Sequence, residues 1–260
     1  MAKTLITLKF DDKKSTEGQI DSYYGSLSLF HFARIVNLSA FAYANGELSN
    51  SASSYRNFES FSLAPEKGSF IQSFLLDFAS DIPADLFSNF LIYNIKRALG
   101  LADENDVHPD LKHRIEPILD LPEKLEDSIA ETHKIIDKYP GMTINIEADN
   151  VSMIFDRSTL EETRIIKEEN IIEVIGQVTR FNTNSHNGRL YSEKDKRTVS
   201  FKLIEPSSRD VSLVTDSLHA SGQNLLKNIV LHAKTQRRES GKVKKYLVIL
   251  VSPYDSTNQG

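Results

Sequence analysis

YYGSLSLFHFARIVNLSAFAY, residues 23–43, decides how the chain is read. Apolar side chains at Tyr24, Leu27, Phe30, Leu38 and Phe41 keep a helical spacing, and Leu29, Phe32, Ala33, Val36 and Tyr43 cover the adjoining faces. A helix apolar over most of its circumference must be buried from several sides, so this one predicts the spine of an N-terminal domain. It does not read as a membrane span. His31, Arg34, Asn37 and several serines would sit at bilayer depth, where polar and charged groups are costly.

Outward from the spine, residues 5–10 alternate as a first strand and end in a charged turn. The helix is expected to start near Gly18 and to stop at Asn45 and Gly46. Residues 58–63 and 69–78 read as strands joined by APEKG, where Pro65 fixes one φ and Gly68 permits another. A second apolar helix runs from about 81–83 to Gly100, with Leu86, Phe87, Phe90, Leu91, Ile95 and Leu99. An acidic linker (103–109) and a third helix (122–138) follow. A hairpin (142–147 and 151–155) and a charged connector (158–170) come next. The expected domain is residues 1–140, a β-α-β-β arrangement with apolar helices, with 141–170 as hairpin and connector.

Past residue 171 the pattern changes. Strands are expected at 171–184 (broken by Gly176), 188–192, 197–204, 229–235 and 243–251, with a helix at 208–226 and a basic turn at 236–242. The order β-β-β-α-β-β predicts a five-stranded barrel domain over 171–260, either OB-like, with its helix between strands three and four, or SH3-like. The whole is α+β, and the two domains are expected to share no sheet.

Composition narrows the function. The chain of 260 residues has 40% hydrophobic and 26% charged residues, as a soluble globular protein does. It has no Cys, which excludes disulfides, thiol nucleophiles and cysteine metal sites. The first residues contain no run long enough for a signal peptide, so a cytoplasmic location is expected. The net charge of −5 hides an asymmetry: 14 Lys/Arg against 8 Asp/Glu from residue 171 onward, and 17 against 28 before it.

Phosphate-cradle, dinucleotide, nucleophile-elbow and zinc-helix motifs are all missing, and the seven histidines lack ligand spacing. No catalytic, metal or cofactor site is therefore expected. His31 and Arg34 share a helix face and form a candidate buried polar pair, more simply read as an Arg paired with Glu47 and a packed imidazole. Pro109, Asp110 and Lys112 match part of a metal-dependent nuclease pattern without its Glu-x-Lys element, so Asp110 reads better as a helix cap. The basic residues of the barrel, Arg180, Arg189, Lys194, Lys196, Arg197, Arg237, Arg238, Lys242, Lys244 and Lys245, stand among Phe181, Tyr191, Phe201 and Tyr246. Cations interleaved with aromatics are what a single-stranded nucleic-acid surface needs, and equally supply contacts to a protein partner. Phe201, by alternation, is core.

The first hundred residues also resemble uncharacterised bacterial and phage proteins of unknown function. These open with a strand, a long apolar helix ending in a Gly turn, and a strand leading into Pro-x-x-Gly-Ser-Phe, here residues 5–10, 23–46, 58–63 and Pro65, Gly68, Ser69 and Phe70. The barrel is a second module of that resemblance. The resemblance implies a setting in phage–host conflict and no catalytic residues. Together these readings predict a non-catalytic binding protein, working through protein contacts as a homo-oligomer or with a protein partner, with single-stranded nucleic acid as the alternative ligand and no membrane.

Overall fold

The computed structural model describes residues 2–12, 18–51, 57–64, 70–102 and 106–254. The chain divides into two compact units, residues 1–163 and 164–260.

The first unit runs β1 (Ala2–Asp11), α1 (Tyr24–Asn45), β2 (Phe58–Ser62), β3 (Phe70–Phe78) and α2 (Phe87–Ala98). It continues with α3 (Lys112–Ile115), α4 (Leu121–Thr132), α5 (Lys134–Lys138), β4 (Thr143–Ala148), β5 (Val151–Phe155) and α6 (Arg157–Thr163). Its sheet has the order β2-β3-β1-β4-β5, with every neighbouring pair antiparallel. Ile6, Leu8 and Phe10 of β1, Phe74, Leu76 and Phe78 of β3, and Ile144 and Ile146 of β4 bury one face of it. The helices build the rest of that core.

The spine helix is there, shorter at its start than expected. The Asp21 carboxylate accepts the N–H groups of Tyr23 and Tyr24 (3.0 and 2.7 Å) and so stops the helix from extending back towards Gly18. These bonds, the one from Tyr24 first, hold its carboxyl below the usual range. At the other end Gly46 takes the left-handed conformation (φ 66°) and donates to the Ala42 carbonyl. Phe32, Ile35, Val36, Ala42 and Tyr43 are buried, whereas Tyr23 and Phe30 stand outside the apolar cover, more than half exposed. Ser28 ties α1 to α4 by donating to the Thr132 carbonyl (2.8 Å). Tyr43 packs on Phe78, Phe87 and Phe90, under the Arg114 guanidinium. This helix is long and apolar enough to cross a membrane by length and composition; here it is the core helix of its unit.

Two expectations need correction. The hairpin expected outside the 1–140 domain is β4–β5, and it belongs to the first sheet: β4 pairs with β1 from Ile6 opposite Ala148 to Asp11 opposite Thr143. An apolar β1 paired on one side only would leave a row of backbone groups unbonded beside the core, and β4 supplies the missing partner. The charged connector is also structured, as α6 and the start of a long strand. The turn around Pro65 and Gly68 lies outside the described residues.

The second unit comprises β6 (Ile165–Phe181), β7 (Asn187–Ser192), β8 (Arg197–Leu203), α7 (Ser208–Gly222), β9 (Ile229–Arg238) and β10 (Val243–Pro253). The strands close into a barrel in the order β6-β7-β8-β10-β9, and among the described residues none of them pairs with the first sheet. Only the β8–β10 pair is parallel. That closure, with α7 between the third and fourth strands, is the OB-like alternative. Val174, Val178, Leu190, Phe201, Leu231 and Val248 fill the interior. Ser207 and Asp210 form a capping box at the start of α7, and Asp210 also accepts the Val251 N–H (2.8 Å), pinning the helix to β10. The expected basic turn is shorter, because β9 continues to Arg238.

Gly188 sits where a Cβ would lie 2.3 Å from Cζ of Phe201. Gly188→Ala should therefore destabilise the barrel by about 1–3 kcal/mol in denaturant unfolding. Gly222→Ala, at a site with nothing within 4 Å, should leave the midpoint nearly unchanged. In the first unit His133 is fully buried against Phe155, donating from Nδ1 to the Ile129 carbonyl (2.7 Å) with Nε2 at 2.9 Å from the Thr159 hydroxyl. Burial pushes its pKa down from 6.5 to about 4. A lowered folded pKa means stability is complete above pH 6.5 and is lost as the pH falls towards 4, by about 3 kcal/mol in all. Denaturant titrations across that window should show this loss in the wild type and a shallower one in His133→Gln.

Candidate nucleic-acid interface

Alternation along β7 and β8 decides which side chains face out of the barrel. Leu190, Val199, Phe201 and Leu203 are buried, which turns Arg189, Tyr191, Ser200 and Lys202 to the other side. The register then builds a row across four strands: Arg180 opposite Arg189, Arg189 opposite Ser200, and Ser200 opposite Lys245. One step along, Asn187 is opposite Lys202 and accepts a hydrogen bond from Lys245 Nζ (3.0 Å). Tyr191, 40% exposed, lies between Gln177 and Thr198 on the same surface.

Neither β7, β8 nor β10 contains an Asp or Glu, and none occurs in β6 beyond Glu173. Two arginines lie directly opposite one another, Arg180 beyond the last carboxylate of β6 and Arg189 on β7, and like charges so placed cost sheet stability. The arrangement makes a positive strip suited to an anion that spans several strands.

The strip is bounded by two polar loops. In residues 182–186 the Asn182 side chain accepts from the N–H groups of Asn184 and Ser185 (2.9 and 3.1 Å), and His186 has φ 57°. In residues 239–242 Gly241 has φ 86°, and its carbonyl accepts from Arg237 (3.3 Å). In OB barrels the second and third strands and these two loops form the usual ligand face.

The expected residues divide. Arg180, Arg189 and Tyr191 come together with Lys245 on the strip. Lys194 is exposed in the β7–β8 turn, where Lys196 pairs with Glu193 (3.0 Å). Arg197 donates to the Val243 carbonyl and braces β8 against β10. Lys242 and Lys244 lie at the start of β10, Lys242 fully in the loop.

Three assignments are overturned. Tyr246 is 1% exposed and no stacking platform: it points into the barrel, its hydroxyl donating to Asp195, and burial with that carboxylate pushes its pKa up. Arg238 is 6% exposed. Arg237 is taken up by Glu168, with Nε 2.9 Å from its carboxylate. Continuation of β9 carried both arginines out of the presumed turn and into a paired strand. Lys202 was missed, although the inward pattern Val199, Phe201, Leu203 marks it as outward.

The remaining candidates lie in the first unit. His31 is half-buried with Nδ1 unpartnered, and burial lowers its pKa, with Arg34 and Lys134 acting the same way and Glu131 opposing. Arg34 is half-buried and, among the described residues, makes no ion pair with Glu47 or any other carboxylate. His31 and Arg34 do act on one another across the shared face, but both are half-buried rather than buried. Asp110 is not a cap: His108 caps the turn Pro109–Leu111, and the exposed Asp110 carboxylate lies 3.7 Å from its ring. The described residues contain no group of three or more His, Asp or Glu placed to hold a metal.

Residues 170–252, most of the barrel from within β6 to near the end of β10, match a family of unknown function (DUF7947). Comparison with curated proteins finds no match.

Proposed function

We propose that the chain is a binding protein whose barrel takes single-stranded nucleic acid across the outer face of β6, β7, β8 and β10. The observation that carries this reading is the row Arg180–Arg189–Ser200–Lys245, which runs over β7, β8, β10 and the part of β6 beyond Glu173, stretches that contain no Asp or Glu, with Tyr191 beside it. Phosphates would run along the cations, and a base would stack on the Tyr191 ring. Such contacts accept any sequence, because every base offers a π-face and every phosphate a charge.

A second reading, binding through protein contacts, is favoured by a different observation. The face of the first sheet turned away from the helices exposes Leu5 (41%), Phe61 (47%) and Ile154 (53%). Sequestering a partner complex in phage–host conflict, the setting implied by the N-terminal resemblance, belongs to this second reading.

Fluorescence anisotropy with a labelled single-stranded oligonucleotide separates the two. Affinity should fall steeply with salt, with a log–log slope of about 0.7 per phosphate contacted. Arg189→Glu should make that slope shallower, Tyr191→Ala should cost about 1–3 kcal/mol, and Arg237→Glu, off the strip, should change little. Binding that ignores salt and Arg189→Glu, or no binding at low salt, would remove the nucleic-acid reading.

A further inference from the structure

From the free edge of the first sheet we infer that the chain pairs with a second copy of itself, β5 against β5, to make one continuous ten-stranded sheet. The surface is distinct from the barrel strip and does not depend on it. Strand β5 is one edge of the sheet, bonded to β4 alone. Its hairpin register places Ala148 opposite Val151 across a two-residue turn, so those two, Ile146 with Met153, and Ile144 with Phe155 are the hydrogen-bonded pairs. Ser152 and Ile154 consequently aim their N–H and C=O groups away from the sheet. No other backbone group among the described residues takes them up.

An open edge of this kind is a template for another strand, and folded proteins ordinarily blunt it with a charge, a proline or a bulge. Strand β5, VSMIF, has no charge and no proline, and its register is unbroken. The opposite edge, β2, carries Glu59. A strand without charge meets no repulsion when it pairs with its own copy, and the occupant is set by the self-complementary register that follows.

The pairing geometry fits a two-fold axis. With Met153 opposite Met153 of the partner subunit, Ser152 faces the partner's Ile154 and Ile154 faces the partner's Ser152. Each such pair exchanges both backbone bonds. The small serine leaves room for the branched isoleucine, now 53% exposed. One self-complementary patch satisfies both copies and closes the assembly.

Analytical ultracentrifugation of the full chain at tens of micromolar should give about twice the chain mass of 29.4 kDa. Amide hydrogen exchange read at Ser152 and Ile154 should slow as concentration rises. Ile154→Lys changes an exposed side chain and should return the protein to a single-chain mass, with those two amides exchanging fast and an unfolding midpoint that no longer depends on protein concentration. A wild type that sediments as one chain overturns the inference. So does a dimer that persists in Ile154→Lys while the Ser152 and Ile154 amides exchange freely.

Discussion

The parallel pairing of β10 with β8, from Lys245 opposite Ser200 to Val248 opposite Leu203, is what the barrel depends on. Without it β8 and β10 would be two open edges, and the outward side chains of β6, β7, β8 and β10 would have no common surface. Closure also dictates what can be inside. Phe201 and Tyr246 sit opposite one another in that pair, and both are buried. Gly188 is the accommodation that Phe201 requires on the neighbouring strand. Lys245 and Ser200, one step away, are then forced outward. The strip is thus a consequence of the same register that packs the core.

The basic excess of the C-terminal part overstates its surface field, because exposed ion pairs cancel part of it. Along β6 and β9, Glu168 meets Arg237, Glu169 meets Lys234, and Glu239 meets Arg164. Such exposed pairs contribute little to stability. Their electrostatic effect is to cancel charge locally, so that side of the barrel has little to offer a polyanion. Strands β7, β8 and β10 carry Arg189, Lys202 and Lys245 with no carboxylate among their residues. What matters for binding is where the carboxylates lie, and they lie on β6 and around β9 rather than on β7, β8 or β10.

Much of the fold was legible in the chain. The spine helix, most strands and the barrel's element order all follow from period and punctuation, because each is set by neighbours a few residues apart. What periodicity cannot carry is pairing over long separations. Ile6 opposite Ala148 joins residues that no local pattern connects, and so the hairpin is legible as a hairpin but not as part of the first sheet. The same limit explains the errors at the site. Whether Arg238 is a turn cation or a buried strand residue depends on how far β9 follows β6, where Ile165 pairs with Arg238. Lys202 is readable from alternation, but it stands apart from the turns, whose dense charges are solvated by default.

The two units differ in how they can meet other molecules, and the difference is topological. A closed barrel has no strand edge, so the second unit can bind only through side chains and loops, where charge and aromatic surface decide the ligand. An open five-stranded sheet keeps two edges, so the first unit can also bind through its backbone. Backbone pairing is indifferent to sequence but demanding of geometry: it selects an extended chain and excludes a helix or a folded surface. The side chains of β5 add the second filter, since Ser152 and Ile154 are small and apolar rather than charged. One chain therefore holds a charge-selective surface and a shape-selective one, and neither requires the other to be occupied.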